Sequence, residues 1–187
     1  MKFGGTSVAD ANCISNVVDI LEKHHKAGDE LAVVVSAQRG VTDQLLEIIG
    51  KLPTAKDDTA ITPLIQSLGK RHMTTLEGAA PDYIAETGAL IEERLISLQN
   101  ILFAVYILKE LSPRSKDYII SFGERLLAPI MSAALRQRGI PSTVLDGCEA
   151  GILTTPQHGE STALLESDDR IKKMTGPLLE KEIPVIM

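Results

Sequence analysis

The stretch ELAVVVSAQRG, residues 30–40, constrains this chain more than any other. Its β-branched run shows no polar alternation, so a strand built from it has both faces in an apolar interior. Such a strand needs parallel neighbours and helices on either side, and the flanking sequence supplies them. Upstream, Ile14, Val17, Val18 and Leu21 recur at helical spacing, and His24, His25, Lys26 and Gly28 form a cation-rich end closed by glycine. Downstream of Gly40 a helix is expected over 42–52. If Met1 to Phe3 end a strand, the chain opens strand, helix, strand, helix, an order that builds a parallel sheet covered on both sides.

Between Pro53 and Pro113 the strand pattern disappears. Helices are expected over 63–78 and 83–111, forming an insertion in which Ile91, Leu95, Leu98, Leu102 and Val105 make a helix-packing seam. That seam faces either the parent domain or a second subunit, so a homodimer is one reading of it. The α/β rhythm then returns, with an expected strand over 118–122, a helix closing at Gly139, and a short strand at STVLDG. Residues 148–167 read as loop with a small hairpin, 168–182 as a helix, and IPVIM as another buried strand. The fold class expected is therefore a three-layer α/β/α sandwich with a mainly parallel sheet, one domain over 1–187, interrupted by a helical insertion at about 53–113.

Charge narrows the function classes. A net charge of −6 with no clustered Lys or Arg argues against nucleic acid or an anionic membrane as partner. ILFAVYIL, the longest apolar run, is too short to span a bilayer, and no secretory signal opens the chain. Cys13 and Cys148 lack any paired spacing, so neither a zinc site nor a disulfide framework is expected, and both read as core residues of a cytoplasmic protein. His24, His25, His72 and His158 lack ligand spacing, and His72 is expected on a helix surface. Small-molecule chemistry remains.

Three segments end a presumed strand in small or polar residues just before a helix: KFGGTS, VVVSAQRGVTD and IISFGER. In an open α/β sheet such ends line one edge, which would gather Lys2, Gly4, Gly5, Ser36, Thr42 and Glu124 at a single crevice. Adjacent glycines let backbone N–H groups approach a phosphate, and Lys2 adds a positive charge there. Taken singly, turn geometry explains the glycines, capping explains Ser36 and Thr42, and a helix N-terminus explains Glu124. The GxGxxG fingerprint of a dinucleotide site is absent.

In combination, KFGGTSVAD, VVVSAQRGVTDQLL and SFGERLLAPIMSAAL resemble the N-terminal half of the aspartate kinase catalytic domain, in the amino acid kinase superfamily. The resemblance spans essentially the whole chain and implies transfer of the ATP γ-phosphoryl group to the β-carboxylate of L-aspartate, with Mg2+ accompanying the nucleotide. By the same resemblance, Lys2 is the catalytic cation, and Lys2, Phe3, Gly4 and Gly5 bind the nucleotide. Ser36 and Thr42 hydrogen-bond the aspartate, and Glu124 pairs with its ammonium group. No residue is assigned to a metal. In full-length members the strand begun at IPV leads into a glycine loop, an Arg-Gly-Gly-Ser-Asp-like motif, most of the nucleotide pocket and regulatory ACT domains. Without these the chain is expected to be a part cut at both ends and inactive alone. Competing readings are a kinase of the same superfamily acting on glutamate, acetylglutamate or a nucleoside monophosphate, or a non-catalytic oligomerisation module. The segments around Thr42 and Glu124 favour aspartate.

Overall fold

The computed structural model describes all 187 residues. Four parallel strands form one sheet in the order β1-β2-β4-β3, with β1 at Lys2–Phe3, β2 at Val33–Val35, β3 at Ser142–Leu145 and β4 at Ile183–Ile186. Register sets Lys2 beside Val34 and Val33 beside Val185. All four residues of β4 are buried, and because successive side chains point to opposite faces, both faces of that strand must be covered. Two helices supply contacts to it, α6 (Phe122–Gln137) and α8 (Gly176–Leu179).

Helix α1 (Ala11–Lys26) starts at Asp10, whose carboxylate accepts the Cys13 N–H at 2.9 Å, and it buries Ile14, Val17, Val18 and Leu21. Helix α2 (Val41–Lys51) follows Gly40, whose φ of 81° suits a residue without a side chain. The next three helices are α3 (Ile61–Ala79), α4 (Ile84–Leu108) and α5 (Pro113–Ile120), and α5 runs into α6 without an intervening strand. The seam Ile91, Leu95, Leu98, Leu102 and Val105 is buried within the chain, where α4 packs on α3 and α6. It is occupied from within and offers no dimer face.

The strand expected over 118–122 is helix. Ser112 caps α5 by accepting the Ser115 N–H at 3.1 Å, Pro113 occupies its first turn, and buried Ile119, Phe122 and Leu126 recur at steps of three and four. Neighbouring isoleucines had mimicked a strand. Residues 113–137 are long and apolar enough to cross a bilayer, yet 72 % of the most apolar window is buried inside the molecule, where it forms core. Pro129 within α6 lacks the N–H that would reach the Arg125 carbonyl, and the Arg94 guanidinium from α4 donates to that carbonyl instead.

The helix expected over 168–182 breaks into α7 (Ser167–Met174) and α8, since Pro177 has no N–H to continue the ladder. The small hairpin in the preceding loop forms, with Thr154 bridging Ala163 antiparallel. The cysteines are not core residues: Cys13 is half-buried and Cys148 exposed.

His72 also departs from expectation. With Leu68 and Leu76 it falls on the inward stripe of α3, is fully buried, and donates from Nδ1 to the Leu68 carbonyl at 2.7 Å, leaving Nε2 buried without a partner. Burial pushes its pKa from 6.5 down to about 4, because a second N–H would have to enter apolar surroundings. The folded state therefore binds fewer protons than the unfolded chain between these values, so stability is full above pH 6.5 and is lost as pH falls toward 4. Urea titrations should show His72→Gln lacking about 3 kcal/mol of that acid-side loss. Parallel stability curves for the two proteins would contradict this.

Candidate functional site

β1 is too short to hold much by itself, and its position comes from β2. The Val34 N–H donates to the Met1 carbonyl at 2.8 Å and the Ser36 N–H to the Phe3 carbonyl at 3.1 Å. The ladder delivers Gly4 and Gly5 to the turn beyond β2, where the Arg39 N–H donates to the Gly5 carbonyl at 3.1 Å. The two turns lie so close that a Cβ on Gly5 would stand 2.7 Å from the Ala37 carbonyl oxygen. Gly4, by contrast, has open space where a Cβ would go. Lys2 is exposed and forms no ion pair, whereas the Phe3 ring packs on the core.

The third segment arrives from a helix start. A Cβ on Gly123 would lie 2.5 Å from the Ala37 Cβ, so the first turn of α6 rests directly on the end of β2. Next along, Glu124 Oε1 accepts the Ala37 N–H at 3.0 Å, a bond joining residues 87 apart in sequence. It is the one hydrogen bond of that side chain, and the half-buried carboxylate keeps Oε2 free. Ala37 is therefore the hub: Ser36 precedes it, Gly5 touches it, Gly123 and Glu124 rest on it, and Thr42 follows in the opening turn of α2.

Gly5, Gly123 and Glu124 meet at Ala37, just beyond the carboxyl end of β2, while Gly4 and Ser36 adjoin these contacts along the chain, Thr42 lies in the opening turn of α2, and Lys2 lies on the adjoining strand. Ala37, Gly123 and Gln38 were missed. Gln38, 1 % exposed, anchors the β2–α2 turn by donating from Nε2 to Thr75 Oγ1 at 2.9 Å. Small residues flanking Ser36 and Glu124 were the available signal for close packing, but nothing local says what they pack against. A cavity of about 630 Å3 between Ile101, Arg114, Tyr118 and His158 shares no residue with this edge. No group of three or more His, Cys, Asp or Glu is placed to hold a metal ion.

A carboxylate with one oxygen fixed and one free can take a cationic group, two hydroxyls can hydrogen-bond a polar ligand, and a bare glycine turn beside a lysine can take an anion. The profile of the Amino acid kinase family matches residues 1–187. The chain belongs to the amino acid kinase family. Among curated members it is 30 % identical to chloroplastic aspartokinase 3 of Arabidopsis thaliana, covering 100 % of this chain and 33 % of that one. It is 26 % identical to aspartate kinase of Pseudomonas putida, covering 91 % and 28 %. The chain thus spans about a third or less of the relatives it matches. Among solved structures, Escherichia coli aspartokinase III with lysine and aspartate superposes with a TM-score of 0.82 at 22 % identity, covering 99 % of this chain and 39 % of that one. The same enzyme with aspartate and ADP gives 0.79. These neighbours share the amino acid kinase fold seen here.

Proposed function

We propose that this chain forms the amino-acid-binding part of an aspartate kinase, which moves the γ-phosphoryl group of ATP onto the β-carboxylate of L-aspartate. The observation that carries the reading is the Glu124–Ala37 bond, which holds one carboxylate oxygen and leaves the other without a partner at the same residue that the glycine turn touches. The aspartokinase relatives, and the aspartate and ADP bound to the E. coli neighbour, support it. Glu124 Oε2 takes the substrate ammonium, Ser36 and Thr42 hydrogen-bond its polar groups, and the amides around Gly4 and Gly5 face the phosphates.

Both reactants are anionic. Two unit charges 4 Å apart repel by about 4 kcal/mol at an effective dielectric near 20, and Lys2 offsets this as the phosphoryl group moves. A carboxylate oxygen attacks the γ-phosphorus, the bond to the bridging oxygen breaks, and ADP departs with that electron pair. The β-carboxylate is already ionised at neutral pH, so no proton need be removed, and the absence of histidine from this edge is consistent. Mg2+ bound to the nucleotide phosphates would neutralise part of their charge, and no residue of this chain is assigned to it. The product, 4-phospho-L-aspartate, feeds lysine, threonine and methionine synthesis, and two free cysteines fit a reducing cytoplasm.

The test is ADP release by the full-length gene product with magnesium ATP. L-aspartate should drive it and N-acetyl-aspartate, which lacks the ammonium group, should not. Release that ignores aspartate, or accepts the acetylated acid equally, would overturn the assignment.

A further inference from the structure

Next to the glycine turn, on the α3 side, lies a second concavity of about 580 Å3. Arg39 enters it from the β2–α2 turn, and α3 contributes Ser67, Lys70, Arg71 and Thr74. These α3 positions are three and four residues apart, so they form one polar stripe along the helix. A stripe of this kind ordinarily faces open solvent. Here its exposed side chains border Asp10 and the β2–α2 turn across an open concavity.

The charges in this cleft are unbalanced. Arg39, Lys70 and Arg71 form no ion pair and no side-chain hydrogen bond, although Arg136 and Arg138 elsewhere each hold a carboxylate. Asp10 is the one acid in the lining, and its Oδ1 caps α1, which holds its carboxyl below the usual range and keeps it ionised. Three cations against one anion leave an excess of positive charge inside a chain whose net charge is −6. An excess of one sign of charge in a concavity raises the local concentration of counter-ions. Beneath the stripe, Thr75 Oγ1 accepts from Gln38 Nε2 and donates to the Arg71 carbonyl at 3.0 Å, which ties the turn bearing Arg39 to the helix bearing the other two cations.

We infer that this cleft is a binding site for a compact polyanion carrying two or more phosphoryl groups. The lining contains a single apolar residue, Ala9, so there is no surface for a base or a hydrocarbon skeleton. Guanidinium groups from two elements match phosphoryl oxygens bidentately, and the hydroxyls of Ser67 and Thr74 add donors. Lys2 does not line the cleft, and the site is separate from the one proposed for aspartate and ATP. Because the Arg39 N–H bonds the Gly5 carbonyl, an occupant that draws Arg39 inward also acts on the glycine turn.

The experiment is calorimetric titration of the full-length gene product with sodium tripolyphosphate, in saturating ADP so that the nucleotide site is filled. Binding should persist, weaken about tenfold or more in Arg39→Gln/Lys70→Gln, and change less than about twofold in Lys2→Ala. Both substituted cations are exposed, and Arg39→Gln alone serves if the double variant unfolds. No heat in the presence of ADP, equal affinity in the cleft variants, or loss caused by Lys2→Ala would overturn the proposal. An enzyme without aspartate kinase activity that still binds tripolyphosphate here would exclude the kinase function and leave the polyanion site in place.

Discussion

Lys2→Ala is expected to lower kcat for aspartate-dependent ADP release by roughly 10² to 10³, the usual loss when a transition-state charge partner is removed. The KM for aspartate should move less than about threefold, because Lys2 acts on phosphoryl charge that builds up during transfer rather than on the bound amino acid. Nothing in the chain competes for its ammonium group, which is exposed and free of ion pairs. The substitution should therefore leave the unfolding midpoint unchanged. Steady-state kinetics check the first part and denaturant titration the second. A fall in kcat below tenfold would mean that another group screens the two anions.

The second large effect belongs to Gly123. A Cβ there already meets the Ala37 Cβ at 2.5 Å, so Gly123→Val must push α6 away from the end of β2 or displace the β2–α2 turn. Overpacking of this kind costs about 1 to 3 kcal/mol. The same displacement breaks the Glu124–Ala37 bond, so the KM for aspartate should rise by an order of magnitude or more alongside the lost stability. Gly4→Ala is the matched comparison, since open space surrounds that position and its unfolding midpoint should shift little. Equal destabilisation by the two changes would show that Ala37 is not the contact that matters.

These two glycines show where sequence reasoning reaches and where it stops. Val33–Val35 announces a buried parallel strand through composition alone, and α1 is legible from its apolar spacing and basic end, since both signals are local. Residues 118–122 were misread because adjacent isoleucines suit a strand, while the evidence for helix lay upstream in the Ser112 cap and Pro113. His72 was misplaced for a related reason: a lone polar residue looks solvated unless its four-residue spacing from Leu68 and Leu76 is given more weight than its polarity. At the site, Lys2, Ser36, Thr42 and Glu124 could be grouped from motif and topology. That Glu124 reaches β2 from a helix start, through Gly123 resting on Ala37, is a tertiary fact. No periodicity encodes it.

Aspartate kinase activity requires one edge to serve one amino acid, and amide-resolved NMR of the labelled chain during an L-aspartate titration tests that most directly. Ser36, Ala37, Thr42 and Glu124 should shift together along one saturating curve, and Glu124→Gln should weaken that curve about tenfold or more without altering the fold. Shifts confined to a single segment, or an unchanged curve in Glu124→Gln, would contradict it.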